Sequence, residues 1–243
     1  MANPMFNEDR VQELSGSGRM SVQGTVLKTG LLLLLLLFTA VWSWSAVAAN
    51  PAIGFPLLIG SMIAGVIMVF WSYFQPQASP ILAPIYALVE GVFVGAFSLV
   101  MATMVPGAYQ QMVPQAVVIT IAILMVMLGL YTGRIIQVTD KLRSMVIIAT
   151  FGIMAVYLLT FVLSFFGIMV PYIHDGGPIG ILFSIVVIGI AAFNLLLDFD
   201  FIERGESYGL PGYFEWYGAM GLVVTLVWLY IEVLRLLSKL NRN

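Results

Sequence analysis

The chain has 243 residues, of which 61% are hydrophobic and 9% charged, with a net charge of −2 and no cysteine. Soluble domains carry about 25% charged residues, so most of this outer surface faces lipid, and a soluble fold is excluded. The absence of cysteine excludes disulfides, thiolate zinc sites and a cysteine nucleophile.

A bilayer core of roughly 30 Å needs about 20 apolar residues per helix, so the length allows six or seven spans. Residues 1–24 are polar, with Glu8, Asp9, Arg10, Glu13 and Arg19, and read as a cytosolic tail. The first span is predicted at Val26–Ala48. Its end, Ala46-Val47-Ala48, resembles a signal-peptidase site, but the leader is too long and the apolar run exceeds a typical h-region. The second span covers Pro51–Phe74, the third Ile81–Val105 and the fourth Val113–Tyr131. A polar turn, Thr132–Arg143, leads to the fifth at Ser144–Val170. The sixth is Gly177–Phe199, followed by the polar loop Asp200–Gly212. The seventh is Tyr213–Leu237, with a basic end from Lys239 to Arg242. The predicted domains are thus a tail (1–24), a seven-helix transmembrane unit (25–240) and a short end (241–243).

Lysine and arginine placement predicts a cytosolic N-terminus. Arg10, Arg19, Lys28, Arg134, Lys141, Arg143 and Arg204 then lie inside, against Arg235, Lys239 and Arg242 outside. The C-terminal basic cluster dissents from this orientation. Gly91 with Gly95, Gly60 with Ala64, and Ser61 with Gly65 form small-xxx-small pairs, which let helices approach closely in lipid.

Ionisable groups at bilayer depth are costly and point to function. Glu90 lies nine residues into the third span, roughly 14 Å deep. Asp198 and Asp200 sit where the sixth span is predicted to end, two residues apart and so facing different directions. One of them is expected to look into the bundle. Acids at a helix C-terminus also conflict with the macrodipole. Glu232 lies near the outer end of the seventh span, and Arg235 at i+3 permits an ion pair that would make it a structural anchor. Glu215 at the start of that helix suits the positive dipole end and reads as structural.

Several membrane chemistries fail on the residues. Lys239 is too close to the end for a retinal lysine, and His174 lies in a loop, away from any serine–histidine dyad. Asp198 has no aspartate partner on another span, as an aspartyl intramembrane protease requires. No enzyme activity, cofactor or nucleic-acid partner is expected.

Three stretches carry a family resemblance: Ala83-Pro-Ile-Tyr-Ala-Leu-Val-Glu90-Gly, Asn194-Leu-Leu-Leu-Asp198-Phe-Asp200-Phe-Ile-Glu203-Arg-Gly205, and Leu226-Val-Trp228-Leu-Tyr-Ile-Glu232-Val-Leu-Arg235-Leu-Leu. They resemble a bacterial branch of the Bax inhibitor family (transmembrane Bax inhibitor motif proteins). The resemblance implies six helices around a central C-terminal seventh and a pH-gated cation leak, chiefly of calcium, in a bacterial inner membrane. It also implies a proton-sensing aspartate pair. Asp198 matches the first member, but Thr225 stands where the second is expected. Glu232, seven residues later, lies on nearly the same face and roughly 10 Å further out.

The expected function is a calcium-permeable leak channel or transporter, with Glu90, Asp198, Asp200 and Glu232 on the ion pathway or in pH sensing. Asp198 and Glu90 are the candidate calcium ligands, since calcium takes oxygen donors. Two acids in one dry site cannot both ionise easily, which would make closure pH-dependent. The expected partners are the lipid bilayer, calcium and protons. A competing expectation is a non-conducting regulator of membrane proteases or other membrane proteins, binding through the tail or loop 200–212. A proton-coupled carrier is a third.

Overall fold

The computed structural model describes residues 18–105, 109–166 and 177–241. Most of the charged tail, His174 and Arg242 lie outside the described residues. Seven helices are each long and apolar enough to cross a membrane. They are α1 (Val22–Ala49), α2 (Gly54–Phe74), α3 (Ser79–Thr103), α4 (Tyr109–Thr132), α5 (Asp140–Phe165), α6 (Pro178–Ser207) and α7 (Tyr213–Leu240). No strand is present among the described residues; an isolated bridge joins Arg19 to Pro211.

The helices begin and end for local reasons. Ser21 caps α1 by accepting from the Gly24 amide, which satisfies one of the orphan donors of the first turn. Short 3-10 turns with proline at their first position, Pro51–Ile53 and Pro76–Ala78, join α1 to α2 and α2 to α3. Proline fits there because a first-turn residue needs no amide donor. Gly209, at φ 64°, makes the tight turn between α6 and α7, a left-handed conformation that costs glycine little. The chain-order prediction of seven spans agrees with these helices. Two boundaries differ in ways that matter. The α1 helix starts four residues earlier than Val26, and α6 runs to Ser207, through most of the stretch predicted as a loop.

Burial identifies α7 as the centre. Ala219, Val223, Leu229, Val233 and Leu234 are almost wholly inaccessible, and it is the most buried of the seven helices. It packs chiefly on α6, α3, α1 and α4. The six surrounding helices are not equivalent. The α2 helix packs on α3, and α5 packs on α6 and is the least buried. The closest approach is between α1 and α3, where a Cβ on Gly91 would lie 2.2 Å from the Leu36 carbonyl oxygen and one on Gly95 2.1 Å from that of Ala40. Ser43 adds a hydrogen bond across this seam to the Val92 carbonyl at 2.8 Å. The Gly91–Gly95 pair therefore is a packing face. Ser61 and Gly65 are buried as expected, whereas Gly60 has open space around it and faces outward.

Candidate functional site

Because α6 continues to Ser207, Asp198 and Asp200 are not at a helix terminus. Asp198 lies nine residues before the end, about 14 Å along the axis, and the expected conflict with the helix dipole disappears. Leu195, Leu196 and Phe199 turn the same stretch towards the core. This orientation carries Asp198 to the α6–α7 seam, where its carboxyl meets the side chain of Thr225. The Asp198 Oδ2 atom is buried and has no hydrogen-bond partner. The Thr225 hydroxyl lies within reach of the Gly221 carbonyl of its own helix, at 3.3 Å, so its one proton is shared between that acceptor and Asp198. Thr225 thus stands opposite Asp198, where the resemblance led one to expect a second aspartate.

Asp200 has a different environment. It is 8% exposed and is held by two guanidiniums, Arg143 from the first turn of α5 and Arg204 one turn along α6 at 2.9 Å. Its position is that of a clamp between α5 and α6. Beside it, the Tyr131 hydroxyl of α4 donates to Glu203. This end of the bundle is therefore laced by ion pairs, and Arg143, first read only as a topology charge, is one of their anchors.

Glu232 is 1% exposed yet fully partnered. Arg235 Nη1 lies 2.7 Å from its Oε1, the i+3 pair that the spacing permits. The Tyr157 hydroxyl of α5 reaches both carboxylate oxygens, at 3.0 and 2.9 Å. The Arg235 guanidinium also sits over the rings of Phe97 and Tyr157, at 5.7 and 5.1 Å. One charged pair consequently ties α3, α5 and α7 together. Buried pairs hold only with such additional bonds, since desolvating two charges otherwise outweighs their attraction. Tyr157 gave no sequence signal, because a tyrosine in an apolar span reads equally well as packing.

Glu90 projects between α2 and α3. Its partner is Tyr86 one turn earlier, and a Cβ on Gly65 would come within 2.9 Å of its Oε2. Gly65 is what leaves room for the carboxyl. The two candidate calcium ligands have different neighbours: Glu90 meets Tyr86 and Gly65, and Asp198 meets Thr225. Among the described residues, no three His, Cys, Asp or Glu side chains converge as a metal cluster.

Glu215 does more than suit the dipole of α7. Its Oε1 accepts from the Ser21 amide at 2.9 Å and the Ser21 hydroxyl at 2.7 Å, and Lys28 pairs with it from α1. Lys28 also lies 5.3 Å above the Trp216 ring. The Met20 amide donates to the Leu210 carbonyl at 2.7 Å, and the Val22 amide to Glu206 at 3.0 Å. Residues 19–22 are thereby strapped to the α6–α7 turn. A Cβ on Gly24 would lie 2.2 Å from Glu215 Oε1, so the strap requires glycine there.

The fold and these buried acids define a multi-pass helical membrane protein whose central helix carries polar groups shielded from lipid. Comparison with known families specifies it further. The chain belongs to the Bax inhibitor family, since the model described as Bax inhibitor 1 like matches residues 3–242. A comparison with curated proteins found no match.

Proposed function

We propose that this protein is a pH-sensitive, calcium-permeable leak channel or transporter in which Asp198 is the acid that governs opening. The observation that carries the reading is the buried, unpartnered Oδ2 of Asp198 beside Thr225 of the central helix. Buried polar atoms almost always have partners, so an exception asks for an explanation. A carboxyl with a free oxygen can take up a proton or a passing cation, and calcium prefers oxygen donors. Two other membrane-depth acids are already held by cations: Glu232 by Arg235, with Tyr157 donating to it, and Asp200 by two arginines. Leu195, Leu196, Val223 and Leu229 pack the bundle interior, so conduction requires α6 and α7 to separate.

A cytosolic N-terminus in a bacterial inner membrane completes the proposal. Two of the dissenting cations have partners inside the bundle. Arg235 is paired with Glu232, and Lys239 turns inward to the Gly180 carbonyl and Ser184 hydroxyl, both at 2.9 Å. The count of seven lysines and arginines on the inner side against three on the outer remains the argument for this orientation.

The test is calcium flux into proteoliposomes at mildly acidic and mildly alkaline pH, for wild type and Asp198→Asn. Wild-type flux is expected to change with pH, and the variant to lose that response. An unaltered response would remove Asp198 from the gate. No flux from well-folded wild type would favour the non-conducting regulator, and pull-downs with the tail and the α6–α7 turn would follow.

A further inference from the structure

Between α1 and α4 the bundle leaves a cavity of about 550 Å³, floored by α3 and α7. The α1 wall runs from Leu33 to Trp44 and the α4 wall from Val113 to Leu124. Each wall is about 16 Å long at helical rise, half of a hydrocarbon core of roughly 30 Å. The groove is therefore one leaflet deep. It lies towards the end of the bundle where α1 finishes and α4 begins.

Its chemistry is that of hydrocarbon. Three hydroxyls, on Ser98, Thr120 and Tyr230, are among the groups around it. Ser98 Oγ donates to the Val94 carbonyl at 2.6 Å and lies 2.7 Å from the Tyr230 hydroxyl, while Thr120 donates to the Ala116 carbonyl at 2.8 Å. With these donors spent on internal acceptors, the groove offers a ligand mainly carbon. An apolar cavity of this kind gives water too few partners to hold it. The mouth is continuous with the lipid-facing surface, because Leu37, Val41 and Ile121 both line the groove and are 50%, 68% and 53% exposed.

We propose that this groove is a lipid site, holding one acyl chain of a phospholipid from the leaflet nearest Trp44. The chain lies against Leu226, Val227 and Tyr230, the one sector of the central helix reached from the bilayer through this opening. Its occupant is set by the match in depth, the carbon lining and the continuity with the bilayer-facing surface. Dispersion contacts along the chain supply the attraction, since in lipid there is no hydrophobic drive.

Tryptophan quenching tests it. Trp44 lines the groove, whereas Trp42, two residues away, is 54% exposed on the outer face. Two single-tryptophan proteins, one keeping Trp44 and one keeping Trp42, are reconstituted into phosphatidylcholine–phosphatidylglycerol vesicles with brominated acyl chains. Both emissions are expected to be at least halved relative to unbrominated vesicles. Val117→Phe, which fills the groove, is expected to restore Trp44 emission and leave Trp42 quenched; Thr120→Leu serves as the second filling variant should Val117→Phe misfold. Native mass spectrometry of the wild type is expected to show one phospholipid adduct per chain, lost on filling. Trp44 emission that ignores bromine, or quenching unchanged in a folded filling variant, would overturn the proposal. So would a groove occupied by a free fatty acid or closed by a second copy of the chain.

Discussion

Asp198 of α6 and Thr225 of α7 face each other across the central seam, and the second carboxylate oxygen of Asp198 is buried there without a partner. Asp200 and Glu232, by contrast, are held by arginines, whereas Glu90 meets a single hydroxyl, that of Tyr86, as Asp198 meets that of Thr225. Under the proposed function, the α6–α7 seam is where uptake of a proton or cation by Asp198 would change packing.

Thr225 can therefore be used to vary that seam. Thr225→Asp is expected to displace the flux-versus-pH curve from that of wild type, because neighbouring carboxyls titrate as a coupled pair. Thr225→Val keeps the shape but removes both the bond to Gly221 and the hydroxyl that meets Asp198, so it is expected to lower the melting temperature and to move the flux-versus-pH curve in the absence of a second acid. Superimposable flux curves for Thr225→Asp and wild type, from proteoliposomes of equal protein content, would detach Thr225 from gating.

Removing Glu232 tests its role as an anchor. Glu232→Ala leaves Arg235 and the Tyr157 hydroxyl without their acceptor. Loss of one member of a buried pair costs about 3–5 kcal/mol; because Arg235 is one-third exposed, a loss of about 2–3 kcal/mol is expected here. Glu232→Gln keeps an acceptor for Tyr157 and should lose about 1 kcal/mol. Unfolding in detergent reads both, and equal stability of Glu232→Ala and wild type would contradict the assignment.

The glycines of α3 and α2 give a paired prediction. Gly95→Val forces α1 away from α3, since even a Cβ would overlap the Ala40 carbonyl. A cost of about 1–3 kcal/mol is expected, as for overpacking generally. Gly60→Ala meets open space and should be neutral or stabilising, because alanine is the better helix former by about 1 kcal/mol. Thermal melting of the two variants side by side gives the answer.

The strap at residues 19–22 predicts a local effect. Ser21→Ala removes the cap of α1 and is expected to cost about 1 kcal/mol. Glu215→Ala removes the acceptor for Ser21 and the partner of Lys28 together. Hydrogen exchange at the amides of Met20 to Gly24 should accelerate in both variants, more in Glu215→Ala, while amides in the middle of α7 stay protected. Uniform acceleration through α7 would mean that Glu215 holds the helix rather than the strap.

The sequence by itself determined that this is a helical membrane protein, how many helices could cross, and that Glu90 lies at bilayer depth. These are one-dimensional properties: a run of apolar residues must be long enough for the bilayer, and a charge within it is costly wherever it points. The Gly91–Gly95 seam and the Glu232–Arg235 pair were legible for the same reason, because helical spacing fixes which residues share a face. Tertiary structure decided the direction in which each carboxyl points and what it meets. Glu90 and Asp198 look equivalent in hydropathy, but one projects towards Gly65 of α2 and the other towards Thr225 of α7. Nor could local pattern show that α6 continues through Asp198 and Asp200 to Ser207, where Arg143 and Arg204 compensate the charge that made the stretch resemble a loop. Partners that lie far apart in the chain, such as Tyr157 with Glu232 or Ser21 with Glu215, become neighbours only when the helices pack.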